Sequence, residues 1–77
     1  MATRAYVLIV AELGQVKRVA EVVRTIPGVT MADIVAGTYD LVAVIEAQDS
    51  TALGHLVLER IRPLPGITST LTLIAMG

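Results

Sequence analysis

The apolar residues change period along the chain, and each change marks an element. Ala5-Tyr6-Val7-Leu8-Ile9-Val10-Ala11 is apolar at every position and rich in β-branched residues. That pattern predicts a strand buried on both faces. From Gln15 to Thr25 the period becomes helical: Val16, Val19, Ala20 and Val23 fall on one face, and Lys17, Arg18, Glu21 and Arg24 on the other. Pro27-Gly28 stops that helix. Val29 to Ala36 alternates loosely and predicts a second strand, Gly37-Thr38 a turn, and Tyr39 to Ala47 a third strand. The connection is too short for a parallel crossover, so these two strands form a hairpin. Asp49-Ser50 supplies a helix N-cap. Thr51 to Ile61 follows as a helix, with Leu53, Leu56, Val57 and Ile61 inward and His55, Glu59 and Arg62 outward. Pro63 and Pro65-Gly66 end it, and Ile67 to Met76 is the last strand.

The halves repeat. Val23-Arg24-Thr25-Ile26-Pro27-Gly28-Val29-Thr30 recurs as Ile61-Arg62-Pro63-Leu64-Pro65-Gly66-Ile67-Thr68, with the Pro-Gly pairs 38 positions apart (65 − 27). Two β-α-β units in one short chain give the order βαββαβ. The predicted class is α+β, a four-stranded antiparallel sheet with both helices on one face. The other face is bare. In the last strand the larger apolar members make Leu71 and Leu73 the expected core residues. The threonine row, including Thr70 and Thr72, is then expected on the bare face.

Composition sharpens the question of that face. Seventy-seven residues make a single domain, 1–77, of marginal size. With 55% hydrophobic residues and no cysteine, neither disulfides nor thiolate metal sites can support it. The lone His55 does not make a zinc site. Association with a second copy, sheet against sheet, is the expected remedy. The net charge of −1 argues against direct nucleic-acid binding. No apolar run approaches a membrane span, and Met1-Ala2-Thr3-Arg4 lacks the features of a signal peptide, so the expected location is cytoplasmic. No cofactor motif is present.

Val35-Ala36-Gly37-Thr38-Tyr39-Asp40-Leu41-Val42 is the most distinctive local stretch. Gly37 permits unusual backbone angles, Thr38 offers a hydroxyl, Tyr39 a flat ring with a polar tip, and Asp40 a carboxylate. Two roles fit: plain turn chemistry with Asp40 capping backbone amides, or a clasp for a zwitterionic ligand. Elsewhere, His55 reads as a solvated surface residue rather than a general base. Glu12 and Glu46 read as solvated strand ends rather than an acid–base pair. Asp33 reads as an edge charge or the rim of a contact.

These stretches together resemble the effector-binding (RAM) domain of the Lrp/AsnC, or feast/famine, transcription regulators. The resemblance covers nearly the whole chain. It rests on Ile26-Pro27-Gly28-Val29, on Gly37-Thr38-Tyr39-Asp40-Leu41, and on Pro65-Gly66-Ile67 with Thr70-Leu71-Thr72. It implies a ferredoxin-like fold, a dimeric α+β barrel made through the sheets, and a ring of dimers (an octamer or similar) with amino acids bound between neighbouring dimers. It carries over Gly37, Thr38, Tyr39 and Asp40 as effector-binding positions, with Thr70 and Thr72 as secondary contributors. The first strand begins near Met1, which leaves no room for the family's helix-turn-helix domain. The expected function is therefore a stand-alone, non-enzymatic amino-acid-binding and oligomerisation module, acting on transcription or metabolism, for instance through a full-length relative. Two alternatives stay open. One is a small dimeric α+β barrel enzyme of monooxygenase or isomerase type, which would need His55 or Glu46 lining a hollow core. The other is an oligomerisation module that binds nothing.

Overall fold

A computed structural model describes residues 2–77. The elements are β1 (Thr3–Ala11), α1 (Val16–Val23), β2 (Val29–Ile34), β3 (Leu41–Ala47), α2 (Ser50–Leu56) running into a π turn (Val57–Ile61), and β4 (Ile67–Ile74). The strands form one sheet in the order β2-β3-β1-β4, with every neighbouring pair antiparallel. The expected βαββαβ order is therefore observed, with strand ends differing by a few residues around the hairpin.

The sequence repeat is an internal two-fold of the fold. Gly28 and Gly66 both have φ in the left-handed region, +99° and +95°. A Cβ added there would also meet the facing helix, 2.6 Å from Leu56 Cδ1 at position 28 and 3.1 Å from Val19 Cγ2 at position 66. Each glycine thus lets a strand start tight against a helix. Each carbonyl accepts a backbone N–H from the neighbouring strand, Glu46 to Gly28 at 2.8 Å and Glu12 to Gly66 at 2.7 Å. Each following threonine sits where the strand register slips by one residue. Its hydroxyl donates across the slip, Thr30 to the Val44 carbonyl and Thr68 to the Val10 carbonyl. A bulge of this type adds a residue and tightens the local twist. The second half is longer because its helical segment is longer.

The core lies between the helices and one face of the sheet. β1 sends in Ala5, Val7, Ile9 and Ala11, and β3 sends in Leu41, Ala43 and Ile45. Val19, Ala20 and Val23 of α1 and Leu53, Val57 and Ile61 of the second helical segment join that layer in one buried cluster. The last three are spaced by four, which in an α-helix drifts by about 40° per step. The wider π turn, closed by Arg62 N–H to the Val57 carbonyl at 2.8 Å, takes up that drift and holds Val57 and Ile61 on the buried face. Asp49 caps α2 as expected, its Oδ1 accepting from Ala52 N–H at 2.8 Å.

The faces of β4 are the reverse of the expectation. Leu71 lies opposite Leu8 and Leu73 opposite Tyr6, while Thr70 lies opposite Ile9 and Thr72 opposite Val7. Ile9 and Val7 are core residues, so the threonines are on the helix side and the leucines on the open side. The cause is the packing footprint of the helices. They rest mainly on β1, β2 and β3, and reach edge strand β4 chiefly at its start, around Gly66 and Ile67. The helix side of β4 is therefore wet and suits threonine. The apolar layer that leucine can join is on the open face, where Leu8, Val10, Val42 and Val44 stand.

Candidate functional site

The loop between β2 and β3 is anchored by Asp40. Its carbonyl accepts from Val35 N–H at 2.9 Å and closes the loop. Its own N–H donates to the Ile9 carbonyl at 2.9 Å, and its Oδ2 accepts from Ala11 N–H at 2.9 Å. The residue thus ties the hairpin to the end of β1, which is the turn-chemistry role. Gly37 and Thr38 project beyond this anchor and are exposed, Gly37 with φ +150°, and Tyr39 is half-buried beside Asp40. The loop tip offers a hydroxyl, an aromatic ring and backbone groups on a fixed base.

Thr70 and Thr72 lie elsewhere. They line an open groove of about 520 Å³ along β4, together with Val57, Arg62, Ile67 and Thr68. Leu41, Ile9 and Thr70 stand in one row across β3, β1 and β4, and neighbouring strands are about 4.8 Å apart. The loop and the groove are thus at the same end of the sheet but two strands apart, on the order of 10 Å. One chain presents two clusters, not a single pocket. Arg62 was expected only as an outward residue of the helix. The sequence repeat sets it equivalent to Arg24, but its place in the groove is seen only in the structure.

The other candidates separate. His55 is on the outer face of α2, its Nδ1 3.3 Å from Glu59 Oε2, with both side chains 64% exposed. Glu12 follows β1, whereas Glu46 pairs with Arg4 at its far end. At about 3.4 Å per residue the two carboxylates are about 27 Å apart along the sheet. Asp33 is exposed on the open face of β2, opposite Val42. That open face carries Met31, Val42, Val44, Tyr6, Leu8, Val10, Leu71 and Leu73, with Arg4, Asp33 and Glu46 around it. The Arg4 guanidinium stands 5.7 Å from the Tyr6 ring centre, a cation–π contact. Among the described residues no helix is long and apolar enough to cross a membrane.

The βαββαβ fold, the anchored loop and the uncovered groove define a small α+β domain with one bare sheet face. Residues 4–77 match the Lrp/AsnC ligand binding domain, and the chain belongs to that family. It is 36% identical over 59 residues to the HTH-type transcriptional regulator PF0250 of Pyrococcus furiosus, a match over 77% of this chain and 39% of that one. The chain thus spans about two fifths of the length of such regulators. TTHA0845 from Thermus thermophilus superposes with a TM-score of 0.93 at 33% identity, over 97% of this chain and 94% of that one. The transcriptional regulator NMB0573 of Neisseria meningitidis, solved as an L-Met complex, shares the fold at a TM-score of 0.87 and 18% identity, over 97% of this chain and 50% of that one.

Proposed function

We propose that the domain is an amino-acid-responsive regulatory module that acts as a two-fold dimer, joined through its open sheet faces and built further into a ring of dimers. The observation that carries this is the open face itself. Leu8, Leu71, Leu73, Val10, Val42 and Met31 form a continuous apolar layer, and Leu71, Leu73 and Met31 are each about half exposed in the single chain. Such a layer favours burial against a second copy. The loop and the groove lie off the open face, so a second dimer of the ring, rather than the partner within one dimer, is the neighbour that meets them. Gly37, Thr38, Tyr39 and Asp40 of the loop, with Thr70 and Thr72 of the groove, are the effector-binding positions in this proposal. A free amino acid is the effector class, as the L-Met complex of a fold relative suggests. The effector shifts assembly by its preference for the assembled state. The regulated partner is a longer relative that carries a DNA-reading domain, or an enzyme.

The non-enzymatic reading is supported by the positions of the two candidate acid–base groups. His55 faces outward from the helices and Glu46 stands on the open sheet face; neither faces the aliphatic core. Thermal melting against a panel of amino acids tests the proposal. At least one raises the melting temperature at millimolar concentration. A panel without any shift contradicts it.

A further inference from the structure

The internal repeat provides a comparison within the molecule. Arg24 and Arg62 are equivalent, each at the C-terminal cap of its helical segment. Arg24 Nε donates to the Ala32 carbonyl at 3.0 Å. Ala32 is on edge strand β2, opposite Ala43. The bond from Val35 N–H to the Asp40 carbonyl sets the alternation that turns the Ala32 backbone out of the sheet. Arg24 therefore satisfies an outward edge carbonyl, and charged Asp33 follows it. Both guard that edge against pairing.

The equivalent of Ala32 is Thr70, of Asp33 is Leu71, and of Ile34 is Thr72. By the same alternation, read from the Ala75 N–H to Arg4 carbonyl bond, the backbone groups of Thr70 and Thr72 point outward from β4. Yet among the described residues Arg62 makes no side-chain hydrogen bond or ion pair. The same motif that closes one edge leaves the other open. Its arginine is uncommitted, hydroxyls replace Ala32 and Ile34, and no carboxylate lines the groove. The volume, about 520 Å³, falls within the roughly 300–1,000 Å³ of small-molecule sites.

We propose that this groove holds the carboxylate of the effector, with Arg62 as its ionic partner and the Thr70 and Thr72 hydroxyls as neutral donors. The inference rests on the amino-acid reading above and adds the group that recognises the acid end. A guanidinium fork matches a carboxylate in two parallel hydrogen bonds. An exposed pair of this kind is weak by itself. The hydroxyls add donors, and Val57 and Ile67 give the groove an apolar side.

Calorimetric titration of the whole chain with a panel of free L-amino acids tests it, followed by the carboxamide analogue of the tightest ligand. Arg62→Gln and Arg62→Lys are titrated in parallel, and circular dichroism reports whether each variant folds. The expected result is a loss of tenfold or more in affinity when the ligand carboxylate becomes a carboxamide, and the same loss with Arg62→Gln. Arg62→Lys keeps part of the binding, and the carboxamide binds wild type and Arg62→Gln alike. Wild-type binding that is indifferent to the carboxamide change, or to Arg62→Gln, overturns this inference and leaves the effector proposal standing. A wild-type chain that binds no amino acid overturns both.

Discussion

Leu71→Asp separates the observed register of β4 from the alternative that buries Leu71. Leu71 is 44% exposed and sits opposite Leu8 on the open face. Complete burial of a leucine side chain is worth about 1.5–3 kcal/mol, so covering the exposed part contributes about 1 kcal/mol per subunit. The position occurs twice across a two-fold contact, giving about 2 kcal/mol for the dimer. At about 1.4 kcal/mol per factor of ten, the lost apolar contact alone weakens dimerisation roughly 30-fold. The two introduced carboxylates must also be desolvated, at several kcal/mol each when unpaired, which carries the loss beyond about 1,000-fold. Sedimentation velocity over a concentration series, with circular dichroism on the same samples, reads both consequences. The wild type sediments as a multiple of 8.1 kDa, and Leu71→Asp as single subunits with a native-like spectrum. Unchanged association of the variant refutes the open face as the interface. Loss of the native spectrum, with the wild type associating normally, places Leu71 in the core and refutes the register.

Three further substitutions test the packing. Gly28→Ala combines a left-handed φ of +99° with a Cβ 3.2 Å from the Glu46 carbonyl oxygen, and is expected to cost about 2–4 kcal/mol. For a domain of this size that lowers the melting temperature by roughly 10–20 °C in calorimetry. Gly54→Ala lies in α2 with open space around the added methyl; it is expected to stabilise by about 0.5–1 kcal/mol, a rise of roughly 2–5 °C. Asp40→Ala removes the acceptor for Ala11 N–H and costs about 1–2 kcal/mol, with faster hydrogen exchange at that amide. Asp40→Asn keeps an acceptor and stays within about 0.5 kcal/mol of wild type.

Much of the fold is legible in the chain because its signals are local. The helical period of Val16, Val19, Ala20 and Val23, the Asp49 cap and the two Pro-Gly stops each depend on a few neighbouring residues. The doubled motif then gives topology, because two similar β-α-β units close on one another around β1 and β3. The faces of β4 were not legible. Alternation places Leu71 and Leu73 together and Thr70 and Thr72 together, but which set meets the helices depends on how far the helices reach across the sheet. That is a tertiary fact, and here they reach little beyond the start of β4. The π turn was hidden for a related reason: a spacing of four from Leu53 to Val57 to Ile61 is also compatible with an ordinary helix. In the candidate site, Asp40 was marked by its turn context, and the structure gives it the anchoring bonds. Arg62 became visible only when the two copies of the repeat were compared as structures, because Arg24 has a partner and Arg62 has none among the described residues.

Native mass spectrometry, with and without a mixture of free amino acids, addresses the central claim most directly, because it weighs the assembly and its cargo in one spectrum. The open sheet face and the uncovered β4 groove predict even-numbered multiples of the 8.1 kDa subunit that gain the mass of an amino acid when the mixture is present. Single subunits that take up no added mass contradict it.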